Sequence, residues 1–566
     1  MKGSQPDQDL NRRDLLLRVG RPVRKNAVTD DGPASPLSLF GRAEAMRTPR
    51  RQASATKAVE APPRAAVIAL NRMAFGARPG DHTEFNLLGA TDASRLAAYV
   101  EQQLHPGTID NSACNARIAA AGFTTLGRSQ AQLWQDHVES GVGWSDRMRP
   151  FFEIERMTFL RAVHSKRQLV EVLADFWHNH FNVYGYDYWT GPLWVHYDRD
   201  VIRNNQFGNF RTMLGAVAKS PCMLYYLDNY TSSNAGPNEN WSRELFELHT
   251  LGAENYLGVK RQVDVEVDEN GVPVGYVDDD VFEATRCFTG WSFDFDTGLF
   301  DYRGEWHDHF QKTVLGAYQA PNQAPLKDGD EVLDAVAFHP GTARQIARKL
   351  CRRLIADDPP GNVVDAAASV FLAARDDADQ LKQVVRTILL SPEFLTTWGE
   401  KIKRPFEVAV SAMRAADAQF TFALSENATD SMLWRYDQAG QPLFSWRAPN
   451  GYPDVREDWQ STTPRVHLWR LCNWLVDAED DGGNFYLDVV GQTPQSVRSA
   501  NAIADFWIKR ILHRDMPADD RQEIVDFMAQ GYNPDLDLPV ATDYQTRERL
   551  RAMVALIFMS PSFLWR

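Results

Sequence analysis

The sequence predicts a mostly α fold, a multi-helical globular body with small β-hairpin insertions. Three observations carry that expectation. Apolar residues recur at helical spacing through most of the chain beyond Ala65, the candidate helices stop at Gly or Pro, and alternation of period two is confined to roughly residues 260–315.

Taken in order, "AAVIALNRMAFG" (65–76) reads as a helix ending at Gly76, and "DASRLAAYVEQQL" (92–104) as one starting at an Asp and ending before Pro106. Residues 148–182 read as two long helices separated near His164 and Ser165, and "FRTMLGAVAKS" ends at Pro221. Two stretches differ. "QVDVEVDENGVPVGYV" (262–277) alternates valine with polar residues around a "DENG" turn, and "GWSFDFDTGLFDYRGEWHDH" (290–309) alternates around Thr297 and Gly298, so both read as hairpins. Helices return at "GTARQIARKLCRRLIAD", "ADQLKQVVRTILLSPEF" and "RPFEVAVSAMRAAD", with an irregular loop at "SWRAPNGYPDVREDW". The closing "LRAMVALIFMSPSFLWR" echoes "VVRTILLSPEFL", an apolar helix followed by Ser-Pro-x-Phe, which suggests at most one duplicated unit. The expected organisation is a basic, Pro-rich disordered leader over 1–63, a helical region with His and Glu motifs over 64–258, hairpin insertions over 259–318 and a second helical region over 319–566. The helical regions are read equally as one body or as two halves.

At 566 residues and 44% hydrophobic content the chain is long enough to bury a sizeable core. A net charge of −14 argues against nucleic-acid binding, which needs a basic surface to release counterions. The five cysteines are scattered with no CxxC, so neither a disulfide framework nor a zinc ribbon is implied. No stretch reaches the roughly 20 apolar residues of a membrane span. "NRRDLLLRVGRPVRKN" is faintly similar to a twin-arginine export signal, but its apolar run stops at Val19.

Three clusters have the composition of chemistry. In "NENWSRELFELHTLG" (238–252), Glu239, Arg243 and Glu247 fall four apart as an ion-pair ladder, while Trp241, Leu245, Leu248 and His249 form an apolar face. Two readings stand: a salt-bridged helix with a satisfied core histidine, or part of a metal or acid–base site. In "VLADFWHNHFNV", His180 shares the apolar face of Leu169, Leu173 and Phe176, and Asp175 lies where it could accept a proton from His178. These histidines are two apart, about 200° around a helix, so they face one ion only if the helix ends there. In "EWHDHFQK", an extended backbone would put His307 and His309 on one face. The sharper reading gathers His178, His180, Glu247, His249 and His307 around a divalent transition metal, with Glu244 as general base and Asp175 and Arg243 as further catalytic residues. Separately, Arg344, Arg348 and Arg352 form a helical stripe, widened by Lys349 and Arg353, that could hold an anionic group. The loop around Arg447, Tyr452, Asp454 and Trp459 suits a binding rim.

"LNRMAFGARPGD", "DFWHNHFNV", "NENWSRELFELHTLG", "TRCFTGW", "FHPGTARQIARKLCRRL", "PLFSWRAPNGYPD" and the terminal "SPSF" occur in the order seen in the bacterial family called domain of unknown function 1800. The chain resembles that family from about residue 65 to the end. The resemblance implies no reaction. It does imply export to the periplasm or cell surface, which the missing apolar signal segment leaves open against the cytoplasm.

The resulting expectation is a metal-dependent enzyme, a hydrolase of an anionic or sugar-containing small molecule. GxSxG, Walker and GxGxxG motifs are absent. One alternative is a non-catalytic helical binding or assembly protein in which the motif histidines and glutamates are buried polar pairs. Another is a haem enzyme, because "HTLG" and "WHNHF" resemble the proximal and distal strings of plant-type peroxidases.

Overall fold

The computed structural model describes residues 62–566. It is 57% helical with two small two-stranded antiparallel sheets, so the mostly α reading with hairpin insertions holds. The expected leader lies outside the described residues apart from its last two, and residues 62–566 form one compact unit.

Helix α1 (Ala65–Arg72) is buried from Ala65 through Leu70. Helices α2 (Arg149–His164) and α3 (Gln168–His180) are the pair expected around Ser165. Gln168 holds the break: its amide nitrogen donates to the Ala162 and Ser165 carbonyls at 3.0 and 2.9 Å, and its oxygen accepts from Phe75 N–H at 3.2 Å. The end of a helix leaves such carbonyls without internal partners. Ten of the thirteen residues of α3 are buried, Glu171 and His178 among them, so this helix has no solvated face.

Helix α4 (Asn240–Glu244) runs directly into a π-helical turn, Leu245–His249. After α5 (Asp278–Cys287), strand β1 (Trp291–Phe293) pairs antiparallel with β2 (Phe300–Tyr302), Ser292 opposite Asp301, which is the hairpin expected around Thr297 and Gly298. A second small hairpin joins β3 (Lys312–Val314) to β4 (Ala317–Gln319).

The hairpin expected over 262–277 is corrected. No strand forms there: the pairing is the isolated bridge Val267 to Pro273, with Asp268 N–H on the Val272 carbonyl at 2.8 Å and Val274 N–H on the Glu266 carbonyl at 3.0 Å. Pro273 has no N–H to donate to a ladder, and the Asp268 carboxylate takes the Asn270 and Val272 amides at 2.8 and 2.9 Å. The alternating valines find no surface to cover, since Val263, Val267 and Val274 are exposed.

Helix α6 (Pro340–Leu354) buries Ala343, Ile346, Ala347, Leu350 and Leu354. The echoed phrases have the same local structure. Helix α7 (Gln380–Leu389) and the last long helix, Tyr544–Met559, each lead to a Ser-Pro and a short helix, and Ser391 and Ser560 hydroxyls donate back to Ile388 and Ile557 carbonyls at 2.8 and 2.7 Å.

A buried ion network ties α3 and α6 to α8 (Pro405–Ala415). One oxygen of Glu407 meets Arg353 at 2.9 Å and Arg566 at 2.6 Å, while Arg404 approaches the other at 3.4 Å. Burial alone would raise the Glu407 carboxyl, but the three guanidiniums hold it well below the usual carboxylate range. Charges this deep persist only when they are paired.

Candidate functional site

The opening helix of the 238–252 motif is shorter than expected. Asn238 Oδ1 accepts from Asn240 N–H at 3.0 Å and starts α4, and Arg243 makes the first rung of the ladder with Glu239 at 3.3 Å. The second rung, to Glu247, is absent: Arg243 turns to Asp278 at 3.6 Å. The π-turn widens the helix after Glu244, so residues four apart no longer stack. Glu244 and Glu247 are half-buried on the side of Tyr276, whose hydroxyl is pushed up by burial and then by the Glu247 charge.

The π-turn delivers His249 into the core, wholly buried beside Phe181 and Trp241. There His249 Nδ1 donates to the His180 carbonyl at 3.2 Å, and His180 Nε2 donates to the His249 carbonyl at 3.1 Å. Each ring thus holds the backbone of the other where α3 and the π-turn both end. Burial, then the Lys349 charge, lowers His249 to about 3 and holds His180 well below the ordinary imidazole range, so both rings are neutral. The arrangement leaves His180 Nδ1 as a bare acceptor, and Lys349 Nζ of α6 donates to it at 2.7 Å.

His178 points the other way. Its Nε2 donates to Asp198 at 2.9 Å, not to Asp175, which corrects the expected pair. Asp198 is itself bound by Arg203 at 2.9 Å, and Arg203 reaches Glu171 at 2.8 Å. Burial would raise the Asp198 carboxyl, yet Arg203 and His178 hold it far below its ordinary value. Asp175 belongs instead to the deep network, pairing with Arg404 and, at 3.0 Å, with Arg353. His307 lies elsewhere again, Nδ1 donating to the Thr289 carbonyl at 2.9 Å and Nε2 facing Asp328 at 3.1 Å, with Lys312 on the same carboxylate oxygen at 2.5 Å. His309 beside it is exposed.

The expected pooling of His178, His180, Glu247, His249 and His307 around one ion is therefore corrected: His180 and His249 meet through each other's carbonyls, while His178, Glu247 and His307 each lie elsewhere. Among the described residues no group of three or more His, Cys, Asp or Glu side chains could hold a metal. The two peroxidase-like strings stitch to each other's carbonyls.

The arginine stripe also divides. Arg344 pairs with Asp365 and Arg348 with Glu254, both on the exposed side of α6. Arg352 differs: its Nε donates to the Asp357 carbonyl at 2.9 Å, and it lines a cleft of about 170 Å³ together with Phe176, Asn179, His180, Lys349 and the 450–454 loop. Lys349, which the sequence reading named only as widening the arginine stripe, lines this cleft. Its signal was its place three residues from Ile346, at the edge of the buried stripe of α6 rather than among the solvated arginines. Burial, then the neighbouring Arg352 charge, lowers its amine to about 8.

The cleft wall is the "APNGYPD" loop, seated on α3 by two asparagines of the "WHNHFN" string. Asn179 receives Tyr452 N–H at 2.6 Å and donates to the Tyr452 carbonyl at 2.7 Å, and Asn182 donates to the Trp446 and Ala448 carbonyls at 3.0 and 2.8 Å. Gly451, at φ 70°, comes so close that a Cβ would lie 2.1 Å from the Asn179 carbonyl oxygen. Lys401 anchors the far end, donating to the Asp454 carbonyl and the Asp357 carboxylate, each at 2.7 Å.

Three motifs distant in sequence thus meet at one small cleft, lined by the cations Lys349 and Arg352 and by Asp454, in a mostly α protein. The chain belongs to the family described as protein of unknown function (DUF1800), whose sequence model matches residues 68–565. No curated protein and no solved structure matches it.

Proposed function

We propose that the cleft binds a small anionic molecule and moves a proton on it, with Lys349 as the acid–base group, His180 as its relay and Arg352 as the holder of the negative charge. The observation that carries this reading is the 2.7 Å contact from Lys349 Nζ to His180 Nδ1 at a cleft lined by Arg352. An amine near pH 8 changes charge close to neutrality, as proton transfer requires. Of the metal-dependent hydrolase read in the sequence, the anionic substrate finds support in Lys349 and Arg352. The metal finds no donor set among the described residues. His178, His249 and His307, each bound to a carbonyl or carboxylate, support the polar-pair role of the binding-protein alternative.

The test is thermal melting of the purified chain at low ionic strength against pyruvate, inorganic phosphate and chloride. The reading expects a specific rise in Tm with one of the first two that Arg352→Gln abolishes. Equal response to all three, or retention of the rise in Arg352→Gln, contradicts it.

A further inference from the structure

The neighbours of Lys349 suit more than proton transfer. An uncharged amine is a nucleophile, and two features keep lysines uncharged near neutrality: desolvation and an adjacent cation. Lys349 has both, the first from the cleft floor and the second from Arg352. His180 Nδ1 adds orientation rather than neutrality, since a bare acceptor at 2.7 Å fixes one N–H of the amine and turns its remaining valences. The Asn179 and Asn182 clamps hold the opposite wall in place.

We propose, resting on the anion-binding reading above, that Lys349 forms an imine with a small carbonyl compound bearing a carboxylate, a 2-oxo acid. The amine nitrogen attacks the carbonyl carbon, a C–N bond forms and the C=O π pair moves onto oxygen. The nitrogen then gives up a proton to His180 Nδ1. Held well below the ordinary imidazole range by burial and by Lys349, His180 passes that proton on rather than keeping it. The proton goes to the alkoxide, which becomes the hydroxyl of a carbinolamine; the second nitrogen proton then follows the same route to that hydroxyl, the C–O bond breaks, and one water leaves as the C=N bond is completed. No oxidant, reductant or further reactant enters. Arg352 binds the carboxylate, which places the carbonyl rather than the acid group over Lys349. A cleft of about 170 Å³ has room for a ligand of only a few carbon atoms.

The experiment incubates the full chain with glyoxylate and sodium cyanoborohydride at pH 8, followed by intact mass and peptide mapping. Reduction of the imine leaves one carboxymethyl group on the lysine that formed it. At this pH about a hundredfold more of the amine is uncharged than for an ordinary lysine, so modification at Lys349 should outpace that at surface lysines by at least about tenfold. Lys349→Met should lose that adduct while keeping its circular dichroism spectrum. In Arg352→Gln, glyoxylate should react no faster than acetaldehyde, a neutral aldehyde. Pyruvate melting curves run in parallel separate the two claims. A rise in Tm lost in Arg352→Gln, with no preferred adduct at Lys349, overturns the imine and leaves the anion-binding reading standing. No preferred adduct and no rise with either pyruvate or inorganic phosphate overturn both. Labelling spread evenly over the lysines also overturns the imine.

Discussion

His180 and His249 each donate a ring N–H to the other's backbone carbonyl, at 3.1 and 3.2 Å. The pair closes the end of α3 against the end of the π-turn, and it fixes which nitrogen of His180 is left to meet Lys349. One histidine of the stitch is therefore purely a fastener. The other has one nitrogen in the fastening and one at the cleft.

His249→Ala removes a fully buried ring and leaves the His180 carbonyl without its donor, a loss of about 2–4 kcal/mol. Urea denaturation checks this. Wild-type stability in the variant would mean that the stitch does not form.

Gly451→Ala puts a methyl group 2.1 Å from the Asn179 carbonyl oxygen at a backbone angle that only glycine adopts freely. The expected outcome is a loss of more than about 1 kcal/mol, together with loss of any anion-induced rise in Tm, because the cleft wall is displaced. A variant with native Tm and native anion response contradicts that seating.

Stability should fall on acidification from pH 6.5 to 5. Folded His249 and His180 stay neutral there, whereas the unfolded chain takes up protons below its ordinary imidazole pKa of 6.5. A lowered folded-state value means that the contribution is complete above pH 6.5 and is lost as pH drops below it, continuing toward about 3 for His249. His249 gives up about 2 kcal/mol at pH 5, and His180 adds a loss of the same sign. Urea midpoints at the two pH values measure it, and a flat profile would mean that the rings protonate in place.

The arginines of α6 should separate by role. Arg344→Ala and Arg348→Ala remove exposed pairs and should shift stability by less than about 1 kcal/mol. Glu407→Gln should cost about 3–5 kcal/mol, since it leaves three buried guanidiniums without their common carboxylate. Comparable losses in all three variants would contradict the division between surface stripe and deep network.

Much of the fold was legible. The helix pair broken at Ser165 and the hairpin around Gly298 follow from periodicity and turn chemistry, whereas the first helix ends at Arg72, short of the expected stop at Gly76. The valine hairpin over 262–277 misled because alternation says only that a strand could form, and Pro273 with the Asp268 carboxylate leaves only the backbone pairing beside the turn. In the candidate site, the strings were legible but the pairings were not. Asp175 and His178 are three apart on one helix, yet their partners, Arg404 and Asp198, come from segments that no local spacing relates to them. Glu247 left its ladder because a π-turn cannot be read from i, i+4 spacing. Lys349 was hidden inside a run of arginines, and only the depth of α6 separates it from them.

The most direct measurement is the titration of the Lys349 amine by NMR of ¹⁵N-lysine-labelled protein, assigned with Lys349→Met. A midpoint of about 8 is expected, with Arg352→Gln moving it upward as the neighbouring charge is removed. A midpoint at the ordinary 10.5, unmoved by Arg352→Gln, would mean that this lysine is a solvated charge and that the cleft holds no acid–base pair.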